Sequence, residues 1–289
     1  MSDPIPCMET VADVRRAVGE ARALGATVGM VPTMGALHEG HLSLIRQARA
    51  ETDTVVVSIF VNPTQFGPNE DLARYPRTLA QDVRLSQEAG ADLIFCPSNA
   101  EMYPVGFSTW VDVEGLTDGL CGRSRPGHFR GVSTVVTKLL NICAPDKAYF
   151  GEKDAQQLAV IRRMVRDLNM PMTVVPCPTV READGLAMSS RNVRLTEQER
   201  AQAPALYRAL TTARRLKEAG ERDAASLDRA VRDVLAEATE GEIDYIEIVD
   251  AKTLMPVTTL TDETLVALAV RFDGSGTRLI DNIRLDLSE

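Results

Sequence analysis

The sequence predicts an α/β protein, a doubly wound parallel sheet of Rossmann-like kind followed by a smaller α+β domain. Three observations carry this. Short β-branched runs alternate with helix-period segments as far as Arg181, the pattern of βαβ units and a parallel sheet. Beyond Arg181 the order changes to long Ala/Arg/Glu-rich helical stretches and then strand-like runs. Glycine-bearing polar segments follow several of the predicted strands, where open α/β sheets bind ligands.

The elements follow in order. Thr27–Pro32 is a predicted strand, 42–50 a helix, and Thr54–Val61, rich in Val and Ile, a buried strand. Residues 79–89 read as helix, 92–96 as strand, and 132–142 as helix, with Ser133 and Thr134 near its start. A strand at 147–150 leads into an amphipathic helix at 155–168, and a strand at 172–175 lies between Pro171 and Pro176. In the second part, 196–219 is helical and stopped by Gly220, and 224–238 is helical. Strands are expected at 244–249, 264–271 and 278–284. The domain boundary is placed in the hinge at 180–185, giving domains 1–181 and 182–289, the second acting as a lid.

Composition narrows the function classes. The chain has 289 residues, 44% hydrophobic and 25% charged, with a formal net charge of −9. An acidic protein lacks the broad basic face that nucleic acid requires. The longest apolar run, Val55 to Val61, is far too short to span a bilayer, and the N-terminus has no signal-peptide pattern. Cys7, Cys96, Cys121, Cys143 and Cys177 are scattered and odd in number, which reads as reduced, buried thiols in a cytoplasmic protein.

The segment Val31-Pro32-Thr33-Met34-Gly35-Ala36-Leu37-His38-Glu39-Gly40-His41 follows the first predicted strand and opens a helix. Helix N-termini offer free N–H groups and partial positive charge to phosphates. Gly35 and Gly40 have Walker A spacing, but His41-Leu42 stands where that motif needs Lys and a hydroxyl residue. What remains is His-x-Gly-His, with two imidazoles three residues apart on one side of a helix start. A neutral imidazole there can donate to phosphate oxygens. A metal pair is the weaker reading, since no third ligand has an obvious place, His128 being the one remaining histidine.

Four further segments carry chemistry. Asn62 and Gln65 follow the Val57–Val61 run, and a Gln amide suits a hydroxy acid because it both donates and accepts. The chemistry alone leaves a loop-bracing amide equally open. Arg123, Arg125 and Arg130 read as a local anion site or as a solvated turn. Gly151-Glu152-Lys153-Asp154 places a lysine point charge after a strand and before a helix, with Gln157 one turn on. Gly185-Leu186-Ala187-Met188-Ser189-Ser190-Arg191-Asn192 offers two hydroxyls and a guanidinium at the domain junction.

These segments resemble a known family. His38-Glu39-Gly40-His41 is similar to the HxGH motif of the nucleotidylyltransferase-like superfamily. The longer string Pro32–His41 resembles pantothenate synthetases (pantoate–β-alanine ligases) in particular. Residues 57–66, 124–132, 149–157 and 185–192 extend the resemblance over roughly 25–195, the last segment as a degenerate KMSKS loop. Thr64 stands where the family commonly has Met.

The resemblance implies an AMP-forming carbon–nitrogen ligase of pantothenate and coenzyme A biosynthesis. Pantoate would attack ATP to give pantoyl adenylate and pyrophosphate, and β-alanine would then displace AMP. It implies His41, His38 and Lys153 as catalytic residues. ATP contacts fall on Met34, Gly35, Ala36, Leu37, His38, Glu39, Gly40, His41, Gly151, Glu152, Lys153, Asp154, Val180, Met188, Ser189, Ser190 and Arg191. Gln65 would hold pantoate and β-alanine, and Gln157 pantoate. Mg2+ would arrive with ATP, with acids near Asp71 and Asp82 as candidate contacts and no resident metal. A cytoplasmic homodimer is implied. A nucleotidylyltransferase, an aminoacyl-tRNA synthetase and an inactive nucleotide-binding module are the rival readings.

Overall fold

The structure is a computed structural model that describes residues 5–68 and 70–286. The chain divides into two compact units. The first comprises everything up to Val113, Arg125–Glu152 and Val160–Pro178; the second comprises Glu114–Ser124, Lys153–Ala159 and everything from Thr179 onward.

The first sheet has six parallel strands: β1 (Cys7–Met8), β2 (Val28–Thr33), β3 (Thr54–Ile59), β4 (Leu93–Phe95), β5 (Lys147–Gly151) and β6 (Thr173–Cys177). Their spatial order is β1-β4-β3-β2-β5-β6. The helices of this region are α1 (Val11–Ala23), α2 (Glu39–Glu51), α3 (Leu79–Ala89), α4 (Asn99–Met102), α6 (His128–Cys143) and the part of α7 (Ala155–Asp167) from Val160 on, whereas α5 (Leu120–Ser124) falls in the second unit. The helices cover both faces of such a sheet, so its central strands need not alternate polar and apolar residues. Val55, Val56 and Val57 on β3 are accordingly all 0% exposed, each buried side chain being worth about 1.5–3 kcal/mol.

The second sheet is antiparallel, β7 (Glu242–Asp250), β8 (Thr264–Phe272) and β9 (Thr277–Arg284) in that order. It shares a core with α9 (Ala205–Glu218) and α10 (Ala224–Ala238), through Leu206, Leu210, Leu227, Val231, Val266 and Leu268. Helix α10 starts at Asp223, whose carboxylate accepts from Ala225 and Ser226 N–H, satisfying donors that a helix start leaves open.

Several expectations needed correction. Residues 196–219 form two helices, α8 (Glu197–Gln202) and α9, because Pro204 has no N–H to continue the ladder. Helix α6 begins at His128, so Ser133 and Thr134 are interior and buried. Pro176 lies inside β6 opposite Phe150, tolerated because β6 is an edge strand. Cys7 and Cys96 form a disulfide, since the parallel pairing of β1 with β4 brings together residues 89 apart. Cys121, Cys143 and Cys177 are free and buried.

Candidate active site

The winding of the first sheet fixes where a ligand can enter. From β2 the chain moves outward through β3 to β4, then returns to place β5 on the other side of β2. The reversal lies between β2 and β5, and the crevice beyond the carboxyl ends of such strands is where open α/β sheets bind ligands. The segments that leave β2, β3 and β5 at this edge contain Met34–His41, Asn62–Gln65 and Gly151-Glu152.

The loop after β2 is held from below. Gly35 has φ +80° and Ala36 φ +51°, and a left-handed alanine costs about 1–2 kcal/mol. Asp82, in the first turn of α3 and 1% exposed, offsets that cost. Its carboxylate accepts the N–H of Ala36 at 3.0 Å and of Leu37 at 2.8 Å, and the Thr78 hydroxyl at 3.1 Å. A Cβ on Gly35 would sit 3.0 Å from the same carboxylate. Asp82 therefore serves the loop in this structure.

His38 precedes the first turn of α2 and His41 lies in it. Their rings are 4.1 Å apart between centroids, and the His38 N–H points at His41 Nδ1 at 3.4 Å. An Nδ1 that accepts a backbone N–H leaves the proton of the neutral ring on Nε2. Both histidines are partly exposed, and Glu39 is exposed and paired with Arg46.

Gln65 is buried in a 3-10 turn, Pro63–Gln65. Its Nε2 approaches Met34 Sδ at 3.1 Å, which joins the loops after β2 and β3. Its Oε1 accepts from Asn62 Nδ2 at 3.1 Å. Asn62, 1% exposed, also donates to Gly131 O at 3.2 Å and accepts from Tyr103 OH at 2.8 Å. Gly131 is required here: a Cβ would stand 2.4 Å from Thr64 O.

Each of the three arginines has an acidic partner. Arg125 is bonded to Glu70 at 2.5 and 2.6 Å. Arg130 pairs with Asp112 at 3.3 Å and covers Trp110, and Arg123 pairs with Glu247. His128 lies 2.8 Å through Nδ1 from Gln65 O and 3.1 Å through Nε2 from Arg125 Nη1. Nδ1 then donates to the carbonyl and Nε2 accepts from the guanidinium, so this ring braces Gln65. Burial works against ionisation of Glu70, but Arg125 outweighs it and holds the carboxyl below its ordinary value.

The remaining site residues belong to the second unit. Lys153 and Asp154 lie in a 3-10 turn before α7, with Nζ 4.0 Å from Asp154 Oδ2. Gln157 is partly exposed, whereas Gln156 is buried and donates to Leu116 O and Gly119 O, each at 2.9 Å. Residues 180–188 form a short hairpin, with Met188 N–H bonded to Val180 O at 2.9 Å. It delivers Ser189, Ser190 and Arg191, and the Arg191 N–H is bonded to Ser189 Oγ at 3.2 Å. Among the described residues no group of three or more His, Cys, Asp or Glu side chains is arranged to hold a metal ion. No helix among them is long and apolar enough to cross a membrane.

Sequence reasoning missed Asn62 and Tyr103 as the support of Gln65, and Asp82 as the support of the Met34–Leu37 loop. Asn62 was visible beside Gln65, but its partners lie 41 and 69 residues away.

The family model for pantoate–β-alanine ligase matches residues 6–284. Pantothenate synthetase of Moorella thermoacetica is 56% identical, covering 98% of this chain and 99% of its own length. That of Heliobacterium modesticaldum is 60% identical, covering 91% and 93%. The crystal structure of pantothenate synthetase from Thermus thermophilus superposes with a TM-score of 0.93 at 50% identity, covering 98% of this chain and all of that one. Pantoate–β-alanine ligase from Francisella tularensis, complexed with β-γ ATP and β-alanine, superposes with a TM-score of 0.79 at 35% identity, covering 97% and 98%.

Proposed function

We propose, from the premise that this chain belongs to the pantoate–β-alanine ligase family, that it forms pantothenate through an acyl-adenylate intermediate. A pantoate carboxylate oxygen attacks the α-phosphorus of ATP. The bond from that phosphorus to the bridging oxygen breaks, and pyrophosphate leaves. The neutral amine of β-alanine then attacks the activated carbonyl, AMP departs with the electron pair of the broken C–O bond, and the amine loses a proton. No covalent enzyme nucleophile is needed, so catalysis rests on positioning and on stabilising phosphate charge.

His41 donates from Nε2 to a phosphate oxygen, supported by the backbone bond at its Nδ1. His38, Lys153, Ser189, Ser190 and Arg191 share the phosphate charge, and the backbone of Met34–Leu37 and Gly151–Asp154 borders the nucleotide. Gln65 and Gln157 hold pantoate, and β-alanine shares Gln65. Magnesium arrives on ATP and is held mainly by its phosphates. A cytoplasmic homodimer completes the proposal.

The observation that carries this reading is the 3.1 Å contact between Met34 Sδ and Gln65 Nε2. It joins the proposed nucleotide loop to the proposed acid-binding amide at one sheet edge. The test is product analysis. ATP, pantoate and β-alanine should give equal amounts of pantothenate, AMP and pyrophosphate; ADP and phosphate as products would refute the adenylate route.

A further inference from the structure

Strand β9 carries two adjacent polar residues, Asp281 and Asn282, whose side chains leave opposite faces of the sheet. Asp281 is 3% exposed, on the face that Leu279 and Ile283 turn to the core. It receives Arg181 Nη1 at 2.7 Å and Nη2 at 3.0 Å. Arg181 also donates to Gly185 O at 3.1 Å and lies 3.9 Å above the Tyr207 ring. It thus fixes the hairpin that runs into Ser189–Arg191. Asn282 donates from Nδ2 to the backbone carbonyl of Lys153 at 2.8 Å.

One dipeptide thus fastens two distant segments, the Lys153 backbone and the 180–188 hairpin. Its own place is set by the ladder, with Asp281 opposite Leu268 and Asn282 opposite Ala267. A buried carboxylate is a poor way to gain stability alone, because removing two charges from water offsets most of their attraction. It is a good way to fix geometry, because a two-point Arg–carboxylate pair admits one arrangement.

We propose that Asp281 and Asn282 are positioning residues of the adenylation site, setting the spacing between Lys153 and the Ser189–Arg191 loop. The proposal rests on the reading of those residues as ATP-phosphate contacts. Loss of the Asn282 donor then loosens the 3-10 turn that carries Lys153 and weakens use of ATP, while Gln65 keeps its supports from Asn62 and His128.

Asn282→Ala and Asn282→Asp both remove the donor. Each is expected to change the ATP KM, or kcat at saturating ATP, unfavourably by about tenfold, with the pantoate KM within about twofold of the parent. Deuterium uptake should accelerate over the 152–154 turn in these variants, and over 181–191 in Asp281→Asn. Unchanged ATP parameters with unchanged uptake would overturn the proposal. So would an equal loss in all kinetic parameters that tracks a lowered Tm, the mark of a merely structural role. If the parent chain makes no pantothenate, the ligase reading fails by itself. ATP titration calorimetry and deuterium uptake then still decide the positioning claim, and parent-like values in Asn282→Ala reject it.

Discussion

The carboxylate of Asp82 accepts the backbone N–H of Leu37 at 2.8 Å, across 45 residues of sequence. With the bond from Ala36 it holds open the left-handed loop that leads into His38 and His41. Asp82→Asn keeps the size but offers one carbonyl oxygen to donors that now share a carboxylate. We expect a loss of about 1–3 kcal/mol in stability and a fall in kcat larger than that loss of folded protein explains. Denaturant unfolding and steady-state kinetics on one preparation check this, and a normal kcat would refute it.

His41→Ala removes the Nε2 donor and leaves the sheet core untouched. The rate of adenylation should fall by about 10²–10³, with Tm near that of the parent. Rapid-quench measurement of pyrophosphate release checks it, and parent-like release would remove His41 from the mechanism.

Gly131→Ala drives a methyl group against Thr64 O and Gln65 Cα, which an ideal Cβ would approach to 2.4 and 2.7 Å. Backbone cannot rotate away as a side chain does, so the turn carrying Gln65 must shift. A destabilisation of about 1–3 kcal/mol is expected, with a pantoate KM that rises more than the ATP KM. Equal, unchanged KM values would show that Gln65 does not set pantoate binding.

The Glu70–Arg125 pair gives a pH dependence. The carboxyl of Glu70 is held below its ordinary value of 4.5 in the folded protein. A depressed carboxyl adds stability that is fully present above the unfolded value and is lost as pH falls through the folded one. Glu70→Gln should therefore be less stable than the parent at pH 7 by about 1–3 kcal/mol. The difference should close as the pH falls below 4.5. Denaturant melts at pH 7 and in that acid range test it; a difference independent of pH would exclude the ion pair as its cause.

Much of the fold was legible because its strands and helices announce themselves locally. Helices 79–89 and 224–238 lie where periodicity put them. Helix α1 was not read, although Thr10 caps it, and β1 is too short to carry a pattern. The motifs were legible as strings, and the sheet edge that gathers Met34–His41, Gln65 and Gly151 follows from strand order. Their supports were not legible. Asp82, Asn62, Tyr103 and Asp281 act through partners 41 to 100 residues away, and a carboxylate in a helical pattern looks the same whether it faces water or a loop. The grouping of Glu114–Ser124 and Lys153–Ala159 with the second unit depends on the same long-range contacts, as does the Cys7–Cys96 disulfide.

The most direct test of the central claim is pantoate-dependent exchange of labelled pyrophosphate into ATP, with β-alanine absent. The account predicts rapid exchange that requires pantoate and is lost in His41→Ala, because adenylate formation is reversible before the amine arrives. No exchange in a preparation that binds ATP and makes pantothenate would contradict the adenylate intermediate.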